Sequence, residues 1–295
     1  MLKKLNRPEN KNMLFILPAL IFFTVFIVLP VFNSVNLSFT NWDGITQDLE
    51  YIGFENFRMI FADERFYNAL KNTLVIGFVF TILVNIFALL AAVLVDKVIV
   101  GKSFFRSAFY LPVLISGVIA GFIWSIMFNY SFGIINNIFS SIGLSGIEID
   151  FLGTMPNALY SIIFVLIWQR TGYYMVIYLA GLQGIPGELI ESARIDGASP
   201  WQRFRYIVFP LIAGSMTVNM TLALINGLKI FDQIAVMTDG GPGFSTESVT
   251  YLIYKVAFGE LKQGYGTALA LILFIIVLVV SVGQVLILKK REVQL

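Results

Sequence analysis

The sequence contains neither cysteine nor histidine among its 295 residues. Without Cys, a disulfide framework, thiol catalysis and Cys-based metal sites are excluded, and without His the commonest general base and transition-metal ligand is missing. Charged residues are also scarce, at 13% of the chain against 58% hydrophobic residues, and the mean hydropathy is +0.83. One soluble core cannot hide this much apolar surface, so we expect a membrane protein with lipid as part of its solvent.

The net charge of +2 is small, and the basic residues form short groups rather than a continuous stripe. This distribution argues against a nucleic-acid partner. An N-terminal basic cluster precedes a long apolar run that no small-residue cleavage pattern follows, so we interpret the run as a retained first span rather than a signal peptide. The cluster consists of Lys3, Lys4, Arg7 and Lys11.

Six segments are long and apolar enough to cross a bilayer, which takes about 20 residues of helix. Arg170 is the only charged residue in any of them, and all 18 acidic residues lie outside. The sequence has no internal repeat, low-complexity tract or soluble domain, so we predict an all-α membrane protein with residues 1–295 forming one transmembrane domain. The six segments lie near 13–35, 72–95, 107–128, 157–182, 206–228 and 263–288.

The distribution of Lys and Arg between alternate connections predicts the orientation. Thirteen basic residues fall on the side of the two termini and six on the other side. Because basic residues near span ends are retained in the cytoplasm, we expect both termini to be cytoplasmic (N-in/C-in). The first group is the N-terminal cluster with Lys97, Lys102, Arg106, Arg194, Arg203, Arg205, Lys289, Lys290 and Arg291; the second is Arg58, Arg65, Lys71, Lys229, Lys255 and Lys262.

The connection at 183–205 falls on the cytoplasmic side and has the pattern of two short helices. Gly197 suits the end of the first helix, where a positive φ is needed. Ser199 is a candidate N-cap for the second, with Pro200 in its first turn. Trp201, Phe204 and Ile207 are spaced to share a face, so we predict a helical elbow with an apolar face turned to the cytoplasm.

This connection resembles the EAA loop of binding-protein-dependent ABC importer permeases, in which E-A-A-x-x-D-G-A is followed by F-x-x-I-x-x-P. The sequence departs from the pattern at Ser192, where Ala is usual, and at Gly214, where a second Pro often stands. The resemblance implies a type I ABC importer permease fold and an elbow that docks into ABC ATPase subunits. It also implies that ATP and Mg are bound by those subunits, with no cofactor in this chain. The matching residues are Glu191, Ser192, Ala193, Asp196, Gly197, Ala198, Phe204, Ile207 and Pro210.

Weaker matches resemble the maltose-type subgroup, which carries sugars and oligosaccharides. The resemblance implies a second permease subunit that is a different chain, and an extracytoplasmic sugar-binding protein that docks on the loops 36–68 and 229–262. Another polar solute such as glycerol phosphate remains the alternative substrate. The matches are Asn41-Trp42, Phe54 to Phe57, the run from Asn68 to Leu74, Phe231-Asp232, Met237-Thr238 and Gly240-Gly241-Pro242.

A sugar pathway should combine hydrogen-bonding side chains with aromatic rings that stack on C–H faces. Spans four and five offer this mixture, but each of these polar residues could instead have a purely structural role. Arg170 could snorkel to an interface, Asn219 and Asn226 could bond a neighbouring helix, and Lys229 could pair with Asp232. The candidate pathway residues are Trp168, Arg170, Tyr173, Tyr174, Asn219, Asn226, Lys229 and Asp232.

An intramembrane enzyme and a membrane scaffold are the two alternatives to a transporter. An intramembrane enzyme would need paired carboxylates at membrane depth, and the predicted spans contain none. A membrane scaffold would not need the elbow at Glu191 to Pro210. The sequence therefore favours a non-enzymatic permease subunit that is coupled to a separate ATPase.

Overall fold

The computed structural model describes residues 8–98, 100–143 and 149–290. The predicted basic residues Lys3, Lys4, Arg7 and Arg291 lie outside these ranges. Throughout the described ranges the regular structure is helical, and the one β-bridge recorded there joins Thr40 to Tyr51. The helices are α1 Pro8–Phe23, α2 Leu29–Leu37, α3 Glu55–Ala62, α4 Glu64–Lys97, α5 Lys102–Tyr110, α6 Gly117–Met127, α7 Ile134–Ser141, α8 Asn157–Gln183, α9 Gly187–Ile195, α10 Pro200–Arg203, α11 Phe209–Leu211, α12 Ala213–Leu228, α13 Asp232–Met237, α14 Val249–Tyr254 and α15 Gln263–Lys289.

Two compact units are formed, Met1–Asp63 with Ile253–Phe274, and Glu64–Leu252 with Ile275–Leu295. In the first unit, α1 continues through a π-helical turn at Thr24–Val28 into α2. No residue of the apolar helix Phe15–Leu37 is buried by the rest of the described structure. Such a surface requires lipid or another membrane chain around it.

The second unit has its core where α4, α8 and α12 pack together. Ile76, Phe80 and Val84 of α4 repeat every four residues and are fully buried. Gly77 and Gly227 allow α4 and α12 to approach closely, since a Cβ on Gly227 would lie 2.9 Å from Gly77 Cα. Small residues at a helix contact are the usual means of close packing in membranes.

Four of the six predicted spans are confirmed as long apolar helices, at Phe15–Leu37, Glu64–Lys97, Asn157–Gln183 and Gln263–Lys289. The fifth begins at Ala213 rather than at 206, because the chain leaves helical geometry at Ile212, two residues after Pro210. That candidate span also continues to Met237 across a break after Leu228.

The third predicted span, 107–128, corresponds in the structure to a bent pair of helices rather than to one helix. Lys102–Leu114 and Gly117–Met127 meet at an angle of 93°. Pro112 cannot donate a backbone hydrogen bond, Ile115 is extended, and the Ser116 hydroxyl accepts the Ile119 N–H at 3.3 Å to start a new helix. The described chain therefore has six candidate spans only if this bent pair counts as one.

Candidate functional site

The predicted elbow follows α8 and consists of α9, α10 and the turns between them. Glu191 and Ser192 lie exposed on α9, and Ala193 is half-buried. At the end of α9, Gly197 has φ +78°, its N–H donates to Arg194 O, and the Ala198 N–H donates to Ala193 O at 2.9 Å. These two bonds form a Schellman motif, so the predicted glycine stop is confirmed.

The second elbow helix begins with a complete capping box. Ser199 Oγ accepts the Gln202 N–H, and Gln202 Oε1 accepts the Ser199 N–H at 2.7 Å. Pro200 occupies the first turn, as the sequence predicts. The Trp201 and Phe204 rings stack with centroids 5.9 Å apart, so the predicted shared face is present at these two positions.

The elbow exposes large apolar side chains that no other part of the described chain covers. Ile195 is 81% exposed, Trp201 68% and Tyr206 72%. A cavity of about 350 Å³ opens beside them. Exposed apolar surface rimmed by polar groups marks a site of protein interaction. The cavity is lined by Asp196, Gly197, Ala198, Gln202, Arg203, Tyr206 and Ile207.

The elbow is joined to the spans at both of its ends. Before it, Gly181 of α8 lies so close to Ser215 of α12 that a Cβ on the glycine would clash with the serine side chain. After it, a π-helical turn at Phe204–Val208 and α11, which contains Pro210, lead to the kink at Ile212. The elbow is therefore continuous with α8 on one side and leads into α12 on the other.

The candidate pathway residues of α8 differ in their accessibility. Trp168, Arg170 and Tyr173 are half-buried, whereas Tyr174 is fully buried. Trp168 packs edge to face on Trp124, with ring centroids 5.4 Å apart. Arg170 makes no ion pair or hydrogen bond within 8–98, 100–143 and 149–290. A guanidinium in a span is costly unless it borders water or a partner.

Asn219 and Asn226 both contact Tyr174 across the α8–α12 interface. Asn219 Nδ2 donates to Tyr174 O at 2.9 Å, and Asn226 Nδ2 donates to Tyr174 Oη at 3.0 Å. Asn219 is fully buried, with its Oδ1 unpartnered, while Asn226 is exposed. The predicted common face exists and it meets α8, so these amides join two helices.

Lys229 and Asp232 do not pair with one another in the described structure. An i,i+3 pair requires continuous helix. The chain instead leaves helical geometry at Lys229 and Phe231, and Asp232 begins α13 next to Gly117 of α6. The pairing suggested by the spacing is therefore wrong, and Lys229 remains an exposed cation at the end of α12.

Sequence reasoning missed a buried amide pair beside these residues. Gln233 Nε2 donates to Gln169 Oε1 at 2.8 Å, and Gln169 Nε2 donates to Ile115 O at 2.7 Å. Both glutamines are at least 97% buried. The available signal was Gln169 within the apolar segment 157–182, since a buried Gln needs hydrogen-bond partners. Gln233 lies in the predicted connection 229–262 and gave no such signal. The partner carbonyl could not be foreseen because it is freed by the helix bend.

In the first unit, the loop after α2 folds around buried hydrogen bonds. Asn56 Nδ2 donates to Ser38 O at 2.9 Å and to Thr40 O at 2.8 Å. Backbone N–H donation from Ile45, then from Thr46, lowers the pKa of the Asp43 carboxyl. These two hydrogen bonds form an Asx turn at Asp43.

Comparisons with known proteins place these features in a family. The sequence pattern of the family described as "Binding-protein-dependent transport system inner membrane component" matches residues 12–293. A probable starch degradation products transport system permease protein of Thermoanaerobacterium thermosulfurigenes is 40% identical, over 96% of this chain and 95% of that protein. A multiple sugar-binding transport system permease protein of Streptococcus mutans is 37% identical, over 95% of each. A chain in the crystal structure of a bacterial ABC transporter that imports the acidic polysaccharide alginate is similar, with a TM-score of 0.85, 25% identity and 98% coverage of each chain.

Proposed function

The chain belongs to the family of binding-protein-dependent transport system inner membrane components, and from that membership we propose that it is a sugar or oligosaccharide permease subunit of an ATP-driven importer. It forms half of the translocation pathway, and a second permease subunit, a different chain, forms the other half. ATP hydrolysis takes place in separate ABC ATPase subunits. Residues 1–295 act as one transmembrane domain of a bacterial cell membrane, with both termini cytoplasmic.

The elbow is the observation that carries this proposal. Its helix stop at Gly197 and its capping box at Ser199 fix two short helices without help from another chain. Preorganised elements bind a partner at a lower entropic cost than flexible ones. The ATPase subunit binds the apolar surface that is formed by the exposed side chains of Ile195, Trp201 and Tyr206.

We infer that the spans have two alternative packing arrangements and that the position of the elbow determines which one is favoured. ATP-driven closure of the ATPase subunits moves the elbow, and the displacement passes to α8, which packs closely on α12 at Gly181 and Ser215, and through Ile212 to α12. The spans alternate between outward-open and inward-open arrangements. A sugar-binding protein outside the membrane docks on the loops 36–68 and 229–262 and delivers the ligand.

Within the pathway, we assign substrate contact to the accessible members of the candidate set. Trp168 and Tyr173 offer rings, and Arg170, Asn226, Lys229 and Asp232 offer polar groups. The buried Tyr174 and Asn219 act by holding α8 against α12. Sugars are bound by this combination of aromatic faces and hydrogen-bonding groups.

A second candidate substrate is an anionic solute such as glycerol phosphate. It is favoured by Arg170 and Lys229, for which the described structure records no acidic partner. Unbalanced cations along a pathway attract anions. A radiolabelled uptake panel of neutral sugars, acidic sugars and glycerol phosphate separates the two candidates.

The coupling role is tested with Gly197→Val in the reconstituted transporter. A β-branched residue is strained at φ +78°, so we expect the elbow to distort and uptake to fall at least tenfold while ATP hydrolysis continues. Glu191→Lys should have the same effect by reversing an exposed charge of α9.

Gly187→Ala is the matched control, because a Cβ at Gly187 meets nothing within 4 Å. We expect it to transport normally. Wild-type uptake rates in both Gly197→Val and Glu191→Lys would refute the coupling role of the elbow.

A further inference from the structure

A polar stripe on the outer part of α4 binds the segment that follows α13. Arg65, Asn68 and Asn72 are three and four residues apart, so they share one face of the helix. Asn68 Nδ2 donates to Phe244 O at 2.7 Å, and Asn72 Nδ2 donates to Ser245 O at 2.8 Å and to Glu247 O at 3.0 Å. Side-chain amides of one helix thus satisfy three carbonyls of the 239–248 loop.

Arg65 adds a buried ion pair to these bonds. Its Nε and Nη2 lie 2.8 Å from the two carboxylate oxygens of Glu247, and the Glu247 side chain is only 2% exposed. The same guanidinium lies 4.6 Å from the centre of the Phe244 ring. A bidentate Arg–carboxylate pair fixes both position and orientation, so the loop is held rigidly against α4.

Phe244 is held in a conformation that its residue type disfavours. Its φ is +65°, in the left-handed region where a bulky side chain is strained. Gly243 beside it has φ +57°, which glycine adopts freely. Strain of this kind persists only where the surroundings enforce it, and it concentrates at functional sites.

The strained conformation does not place the Phe244 side chain in the core, because this side chain is 55% exposed. An aromatic ring that a rigid, strained loop keeps exposed contributes nothing to the core. Pro242 and Gly243 beside it are exposed as well. Aromatic and Arg side chains at the centre of a fixed patch are the residue types that dominate protein interfaces.

The loop lies at the opposite end of the second unit from the elbow. Along α4, Arg65 contacts the loop, Gly77 contacts Gly227, and Asn85 accepts a hydrogen bond from Tyr178, which lies near the elbow end of α8. In the proposed orientation, the loop therefore faces outside the cell.

We propose that the 239–248 loop, clamped by Arg65, Asn68 and Asn72, is a preorganised docking element that inserts the Phe244 ring into an apolar pocket of the extracytoplasmic binding protein. This inference rests on the proposed importer function and names the contact by which its soluble partner is recognised. A lipid surface needs no fixed ring geometry, whereas a protein pocket binds a preorganised ring at a lower entropic cost. The clamp residues are positioning residues, and the ring makes the contact.

The test uses the complete transporter in nanodiscs and its cognate binding protein, with binding measured directly. Phe244→Gly removes the ring and also relieves the backbone strain, so folding is preserved while docking is lost. We expect its affinity for the binding protein to fall at least thirtyfold. Phe244→Leu, which keeps an apolar side chain, should retain more affinity than Phe244→Gly, and Glu247→Gln should weaken binding by loosening the clamp.

Phe78→Ala is the matched control, because it removes an exposed aromatic ring outside the loop, on α4 about 15 Å along the helix from Asn68. Its affinity should match that of the wild type. If wild-type transporter binds the protein and Phe244→Gly binds equally well, the docking role is overturned while the importer function stands. If the wild type itself shows neither binding nor stimulated ATP hydrolysis with any sugar-binding protein, the importer function fails instead.

Discussion

At the residue scale, glycines decide how closely the helices can approach. A Cβ at Gly172 would clash with the backbone carbonyl of Phe109, so α8 and the α5 segment pack in direct backbone contact there. Gly214, at the start of α12, has nothing within 4 Å of a Cβ. Gly172 therefore has no room for a methyl group, whereas Gly214 does. The sequence alone does not distinguish these two glycines.

Gly172→Ala should destabilise the protein because the new methyl group forces α8 away from Phe109. We expect a loss of about 1–3 kcal/mol, typical of overpacking. Gly214→Ala should be neutral or stabilise slightly, since Ala favours helix by up to about 1 kcal/mol. Thermal unfolding in detergent measures both, and equal stability of the two variants would contradict the packing argument.

At the scale of the elements, the bend between α5 and α6 is held by a side chain from another helix. Breaking the helix leaves the Ile115 carbonyl without its helical donor, and Gln169 supplies one at 2.7 Å. Gln169 is in turn held by Gln233 of α13. A bend inside an apolar region needs such compensation, because unsatisfied backbone groups are costly in lipid.

Gln169→Leu keeps the approximate volume but removes both bonds. The Ile115 carbonyl and the Gln233 amide are then left unpaired, so we expect a loss of about 1–3 kcal/mol of stability. Thr171→Val is the control on the same helix, since Thr171 bonds only within α8, to Ile167 O. Unfolding midpoints of the two variants that coincide would show that the bend does not depend on Gln169.

At the scale of the whole molecule, orientation in the membrane decides which surfaces meet which partners. The elbow and the 239–248 loop occupy opposite ends of the second unit, and the charge distribution predicts that the elbow end is cytoplasmic. Both docking proposals depend on this assignment.

The absence of Cys makes the orientation directly testable with single cysteines. Asp48→Cys, in the exposed loop after α2, should react with a membrane-impermeant maleimide in intact cells. Ser192→Cys, exposed on α9, should react only after the membrane is opened. The reverse pattern of labelling would overturn the N-in/C-in orientation.

The sequence by itself determined the features that depend on local chemistry. Uncharged apolar runs fix the spans because lipid accepts little else, and the elbow caps at Gly197 and Ser199 follow from backbone preferences within a few residues. The tertiary structure decided what depends on residues distant in the chain. The bond from Gln169 to the Ile115 carbonyl, the Gln169–Gln233 pair and the Arg65–Glu247 clamp each join groups more than 50 residues apart, and such partners are set by helix packing that no local pattern encodes.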